Sequence, residues 1–148
     1  MSNVNVKISR DDKAKEFPLP NYETIGAAGV DLRASEKAIV LPGERAAVST
    51  GLKIEIPEGF EAQVRPRSGM AIKNGVTILN SPGTIDSDYR GEIKIIIINH
   101  GANPFTIEAG DRIAQLVFAP VVHVSWAECD DLGSTERGDG RFGSSGSK

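Results

Sequence analysis

β-Branched residues set the first limit on this chain. Isoleucine and valine together number 26 across 148 residues, and leucine numbers 7. Side chains branched at Cβ are stiff in a helix and fit a pleated surface. The 16 glycines and 8 prolines are spread along most of the length and leave little room for long helices. Together these features predict an all-β chain of roughly ten short strands, a sandwich or a barrel.

Local patterning places the strands. Val4, Val6 and Ile8 alternate with polar residues and predict a first strand. Short extended stretches follow at Asp31 to Ala34 and Ile39 to Leu41, the second closed by Pro42-Gly43. Val48, Thr50, Leu52, Ile54 and Ile56 hold period 2 and read as one half-buried strand, turned by Pro57-Glu-Gly59. Further strands are predicted at Phe60 to Val64, Val76 to Leu79, Glu92 to Asn99, Phe105 to Ile107, Ile113 to Phe118 and Val121 to Trp126. The run Ile95 to Ile98 is apolar on both faces and so requires cover on both sides. Ser68 to Asn74 is the single predicted helix, with Ser68 as its cap and Gly75 as its stop.

The chain divides at residue 130. Residues 1–129 carry the β-pattern, while 130–148 are rich in Gly, Ser and charge, with Leu132 and Phe142 as the only large apolar side chains. Such a segment cannot offset its ordering entropy by burial, so it reads as a flexible C-terminal arm. The net charge is −3 and the pI about 5.4, which excludes a broad basic surface for coating nucleic acid. One cysteine, Cys129, allows no internal disulfide, and two histidines make a poor basis for a histidine metal site. The longest apolar run is far below the roughly 20 residues of a membrane span, and the N-terminus has no signal-peptide core. A soluble protein of a reducing cytoplasm is expected.

Four segments could carry chemistry. Arg65-Pro-Arg-Ser-Gly-Met-Ala71 places cations, a hydroxyl and a glycine at a helix start, where free N–H groups favour an anion. The turn-rich stretch from Ser81 to Gly91 carries Asp86, Asp88 and Tyr89, and a carboxylate there can act as a general base if it reaches a water. Gln115 is a polar amide on the strand face of Ile113 and Val117 and needs a partner, from neighbouring backbone or from a ligand. Residues 137–146 combine flexible glycine backbone with arginines, hydroxyls and the aromatic Phe142, as a phosphate wrap would. Taken singly, each is also an ordinary cap, turn, structural hydrogen bond or loose end.

Their order carries more weight. Ala28-Gly-Val-Asp-Leu-Arg-Ala34, Arg65-Pro-Arg-Ser-Gly-Met-Ala71, Gly83-Thr-Ile-Asp-Ser-Asp-Tyr-Arg-Gly91, Gly110-Asp-Arg-Ile-Ala-Gln-Leu116 and Arg137-Gly-Asp-Gly-Arg-Phe-Gly-Ser-Ser-Gly146 follow one another along the chain. The set resembles the five motifs of the trimeric dUTP diphosphatases (dUTPases), from about Lys7 to Gly146. The resemblance implies a distorted jelly-roll-type β-barrel and a homotrimer whose three active sites each draw on all three subunits. It implies hydrolysis of dUTP to dUMP and pyrophosphate with Mg²⁺ on the triphosphate. Removal of dUTP limits uracil in DNA, and dUMP feeds thymidylate synthesis. Neither nucleic acid nor membrane is an expected partner.

By motif position, Asp86 matches the acid that activates water toward the α-phosphorus. An aspartate carboxylate is ionised at neutral pH and can accept that proton. Arg67, Ser68, Gly69 and Gln115 match phosphate contacts, and Arg137, Ser144 and Ser145 match the arm's grip on the distal phosphates. Asn80, with backbone groups of Gly83, Thr84, Ile85 and Lys94, matches the uracil pocket. Tyr89 matches the ring under deoxyribose, and Phe142 the aromatic over uracil. Asp31 matches an acid that reaches the metal only through water, so no direct ligand is assigned. Arg141 departs from the pattern, standing where the family usually has Gly.

Overall fold

The computed structural model describes residues 3–147. Among these it places eleven strands, a one-turn 3-10 segment at Ala14–Glu16 and one α-helix. The strands are β1 (Lys7–Arg10), β2 (Val30–Arg33), β3 (Ala38–Val40), β4 (Arg45–Ser49), β5 (Leu52–Glu55), β6 (Phe60–Arg65), β7 (Val76–Ile78), β8 (Gly83–Ile85), β9 (Lys94–Asn99), β10 (Phe105–Ile107) and β11 (Arg112–Pro120). Helix α1 spans Ser68–Asn74 between β6 and β7. Every pairing is antiparallel. A four-stranded sheet runs β2-β11-β6-β8, a three-stranded sheet β4-β9-β7, and two pairs are β1-β5 and β3-β10. The all-β, jelly-roll-like reading holds, but these sheets do not join edge to edge into a closed barrel.

Alternation builds the core. Leu32, Val40, Val48, Val76, Ile95, Ile97, Ile107 and Ile113 are almost wholly buried and come from most of the strands. In β9 the faces differ: Ile95, Ile97 and Asn99 point into the core, while Ile96 and Ile98 remain half-buried. The expected cover on both faces is therefore incomplete within one chain. Asn99 is fully buried and satisfied, its Nδ2 donating to Val40 O at 2.9 Å and Asn103 O at 2.8 Å. Its Oδ1 accepts from Gly101 N at 2.8 Å. Buried polar groups are tolerated on that condition.

Four local expectations are corrected. Val48 to Ile56 is not one strand but two, in different sheets: β4 pairs with β9 and β5 with β1. All five period-2 residues are buried as expected, yet Gly51 between them turns the backbone at φ +68. Thr50, buried at the join, donates to Ile93 O and accepts from Leu52 N at 3.2 Å. Ser68 does not cap α1; it is the first helical residue, and the extended Arg67 precedes it without a side-chain cap. Gly75 does end the helix, at φ +66, with its N–H on Ala71 O. At the N-terminus, Val4 and Val6 are half-buried but hydrogen-bonded pairing begins only at Lys7. Val121 to Trp126 forms no strand: Val121 N still donates to Gly59 O at 2.9 Å, but beyond it no strand among the described residues pairs with the segment, and Val122, Val124 and Trp126 stand exposed.

Residues 121–147 contain no helix or strand and are almost entirely exposed. No helix among the described residues is long and apolar enough to cross a membrane. At the surface, Lys13 Nζ meets Glu36 Oε2 at 2.9 Å. This hydrogen bond raises the lysine's pKa and lowers the glutamate's from their ordinary values.

Gly51 carries a testable load. Its φ lies in the left-handed region, and an added Cβ would stand 2.8 Å from the Ala14 Cβ and press on the Asp11 carboxylate. Gly51→Ala is expected to destabilise the fold by roughly 1–3 kcal/mol. Denaturant melts at matched protein concentration check this; an unchanged midpoint would show that the switch between sheets does not need glycine.

Candidate active site

One sheet aligns four of the five motif segments. In β2-β11-β6, Asp31 pairs with Gln115, and Gln115 pairs with Arg65. On the far side of β6, Val64 pairs with Gly83 and Ala62 with Ile85. An irregularity in β11 between Arg112 and Ala114 turns both Ile113 and Ala114 into the core. Ile113 thereby leaves the row predicted for it, while Gln115 and Val117 remain half-buried.

Asn80, Gly83, Thr84, Ile85, Asp86, Tyr89 and Lys94 line one cavity of about 380 Å³. Ala47, Val64, Ile93 and Ile96 supply its apolar walls. β8 is an edge strand, paired only with β6, so its other edge faces away from any strand partner. Exposed backbone N–H and C=O groups on an edge are ready to pair with a planar amide. Gly83 lies close under Asn80: a Cβ there would meet Asn80 Nδ2 at 3.1 Å. Asp86 follows β8 directly and is exposed, and the turn closes with Tyr89 N on Asp86 O at 3.2 Å. The Tyr89 hydroxyl donates to Glu92 O at 2.9 Å. Asp86 also borders a second, acidic hollow lined by Glu58, Glu61, Asp88 and Arg90 among others.

A second group gathers around Asp31. Its Oδ1 lies 3.3 Å from Arg67 Nε and its Oδ2 3.2 Å from Arg112 Nη1. Arg112 in turn reaches Glu23 at 3.0 Å, and its carbonyl accepts from Arg67 Nη1 at 2.9 Å. Gln115 Nε2 donates to Pro66 O at 2.9 Å, so its partner in this chain is backbone. Ser68 and Gly69 are exposed at the helix start, and a Cβ on Gly69 would meet nothing within 4 Å. Both Asp31 oxygens are thus engaged by guanidinium groups, and no cluster of three or more His, Cys, Asp or Glu among the described residues could hold a metal. Asp31 therefore stands as the acidic centre of an ion-paired group rather than as one of a set of metal-ligating side chains.

The third group is the arm. Arg137, Ser144 and Ser145 line one hollow together with Thr135, Glu136 and Gly143. Successive turns gather them: Gly140 N on Arg137 O at 3.1 Å and Ser144 N on Arg141 O at 3.0 Å. Phe142 stands apart and fully exposed. The structure therefore brings the predicted residues into three groups, but one chain does not bring the groups together.

Sequence reading missed Glu92 and the roles of Glu23 and Arg112. Glu92 lines the cavity, and its Oε2 is buried without a hydrogen-bond partner among the described residues. Arg112 was visible within the Gly110–Leu116 motif, but its pairing with Asp31 depends on register. Nothing in the pattern around Glu23 signals its contact.

A family model described as dUTPase matches residues 15–146. A deoxyuridine 5'-triphosphate nucleotidohydrolase of Anaeromyxobacter sp. is 56% identical over 144 residues, 97% of this chain and 98% of that protein. Its counterpart in Rhizobium rhizogenes is 61% identical over 132 residues, 86% of this chain and 85% of that one. Among solved structures, the Staphylococcus bacteriophage 80alpha dUTPase with dUPNHPP superimposes with a TM-score of 0.87 at 27% identity, covering 96% of this chain and 98% of that one. The dUTPase of S. aureus phage phi11, described with a structural Mg(II) ion, shares the fold at 23% identity and a TM-score of 0.78, over 86% of this chain and 98% of that one. A family match over most of the length, with relatives more than half identical, places this chain in the dUTPase family.

Proposed function

We propose that the chain hydrolyses dUTP to dUMP and pyrophosphate at the cavity beside β8, with Asp86 as the general base. The observation that carries this reading is the convergence of Asn80, Gly83, Thr84, Ile85, Asp86, Tyr89 and Lys94 on one cavity. The free edge of β8 offers backbone donors and acceptors to the uracil amide face, and Asn80 adds a side-chain amide. A close-fitting hairpin leaves no room for the thymine methyl. Tyr89 packs under deoxyribose. Asp86, one residue beyond the base-reading strand, takes the proton of the water that attacks the α-phosphorus.

Arg67, Ser68, Gly69 and Gln115 hold phosphate oxygens. Mg²⁺ on the triphosphate would supply charge neutralisation, held through water by Asp31. Arg67 is already ion-paired to Asp31, so the cation is oriented before a phosphate arrives. Residues 130–148 act as a mobile arm over a neighbouring subunit's site; Lys148 lies outside the described residues. Its Arg137, Ser144 and Ser145 grip the distal phosphates, and Phe142 stacks on the base. Closing the arm expels water from the site. The half-buried Ile98 and the exposed Val122, Val124 and Trp126 support a homotrimer in which neighbours cover these side chains. In the cell this activity limits uracil in DNA and supplies dUMP for thymidylate synthesis.

Asp86→Asn is expected to keep nucleotide binding and to lose about 10²–10⁴-fold in kcat. Pyrophosphate release and titration with a non-hydrolysable dUTP analogue check both halves; near-parental turnover would remove Asp86 from the role of base. Sedimentation should show a trimer, and a stable, active monomer would contradict the shared site. Deleting residues 137–148 should leave assembly intact while lowering kcat/KM by orders of magnitude, about 10²-fold or more. Binding of dUMP should suffer less than binding of the triphosphate analogue. A truncated enzyme with full activity would sink the closing-arm mechanism.

A further inference from the structure

We propose that Gly91 is a positioning residue for sugar selection: its missing Cβ is what allows the Tyr89 ring to lie back on the Gly91–Glu92 backbone. The inference rests on the reading of Tyr89 as the ring beneath deoxyribose.

Tyr89 lines the cavity but is 45% exposed, so packing alone does not hold its ring. Its one side-chain hydrogen bond, Oη to Glu92 O at 2.9 Å, ties the ring to the backbone just beyond Gly91. A Cβ built on Gly91 would stand 2.5 Å from Tyr89 Cζ and 2.9 Å from Cε2, and closer still to Oη. Those three atoms of the Tyr89 side chain are the nearest heavy atoms to it outside its own chain neighbours.

The backbone does not itself require glycine here. Gly91 is not among the glycines with positive φ, unlike Gly51, Gly75 or Gly110. The three nearest atoms that an alanine Cβ would meet beyond its chain neighbours thus all belong to one aromatic side chain, which is 45% exposed. The alanine's cost falls on the ring's position rather than on the fold. Gly83 serves the same cavity differently, its space being bounded by Asn80 and Val64. The two glycines thus shape the two ends of a nucleoside site, one within the base-reading strand and one behind the sugar ring.

A displaced ring no longer fits deoxyribose. The loss falls on dUTP, which the undisplaced ring accommodates, whereas UTP, already excluded, has little to lose. Selectivity between closely similar substrates at such a contact is worth about 10–200-fold.

The test compares kcat/KM for dUTP and UTP in the full-length parent, Gly91→Ala, Tyr89→Ala and the double variant, with folding followed by circular dichroism. Gly91→Ala is expected to fold and to narrow the dUTP/UTP ratio by about tenfold or more. In the Tyr89→Ala background the same change should leave the ratio unaltered, because no ring remains to be displaced. Equal loss on both nucleotides, an unchanged ratio, or the same narrowing without the ring would each overturn the proposal. So would failure of Gly91→Ala to fold, since the claim is that the cost falls on the Tyr89 ring. A parent that turns over neither nucleotide would instead overturn the dUTPase reading, and this inference with it, an outcome distinct from a selective parent with an indifferent Gly91.

Discussion

The register Asp31–Gln115–Arg65 across β2, β11 and β6 is what the rest of the site hangs on. These residues lie far apart in sequence and meet only because three antiparallel strands are aligned to the residue. Arg67 reaches Asp31 because β6 delivers it two residues past Arg65, and Gln115 reaches the Pro66 carbonyl from the same alignment. A slip of one residue would send every side chain of the slipped strand to the opposite face. Burial prevents it: Val30, Leu32, Ala62, Val64, Ala114 and Leu116 are the inward partners, and a slip would expose them. The same apolar alternation that stabilises the sheet therefore fixes the spacing of the polar groups on its other side.

β8 extends that logic to the nucleoside pocket. Three residues are too few to hold a strand alone, yet pairing with β6 fixes Gly83 to Ile85 opposite Val64 to Ala62. Because β8 is the last strand of its sheet, its outer edge has no strand partner among the described residues, and the proposed function gives that edge to the base. An exposed edge is ordinarily an aggregation hazard. Here its shortness and the turn that follows at Asp86 limit the hazard.

Much of this was legible in the sequence, and the failures have physical causes. Alternation located most of the strands because one buried face imposes period 2. It could not show that Val48 to Ile56 changes sheets, because burial continues through Gly51 while hydrogen bonding does not. Ser68 matched a helix cap by residue type, but capping depends on where the backbone turns, and it turns one residue earlier. Val121 to Trp126 has strand composition and no strand, since past the Val121–Gly59 hydrogen bond no edge among the described residues pairs with it. The residues predicted from Asn80 to Lys94 line one cavity because they lie close enough in sequence for a short stretch of chain to bring them together. They could not reveal the chain of charges from Glu23 through Arg112 and Asp31 to Arg67, which exists only once the strands are in register.

The division of the site into three groups follows from how each is stabilised. The base pocket and the Asp31 cluster sit on paired strands, whose geometry is determined by the core whether or not substrate is present. The arm has almost no buried side chain, and its turns hold Arg137 near Ser144 without docking either against the β-domain. Ordering a flexible residue costs about 1–2 kcal/mol, so the arm requires a large external source of free energy to dock. A triphosphate offers charge-assisted hydrogen bonds, and a base offers a stacking face; either alone is weaker than the two joined in one molecule. On the proposed reading, a polar arm with one aromatic near its end would respond to the intact nucleotide. A product that has lost its distal phosphates no longer supplies those contacts, so the same weakness that leaves the arm undocked would favour release after hydrolysis.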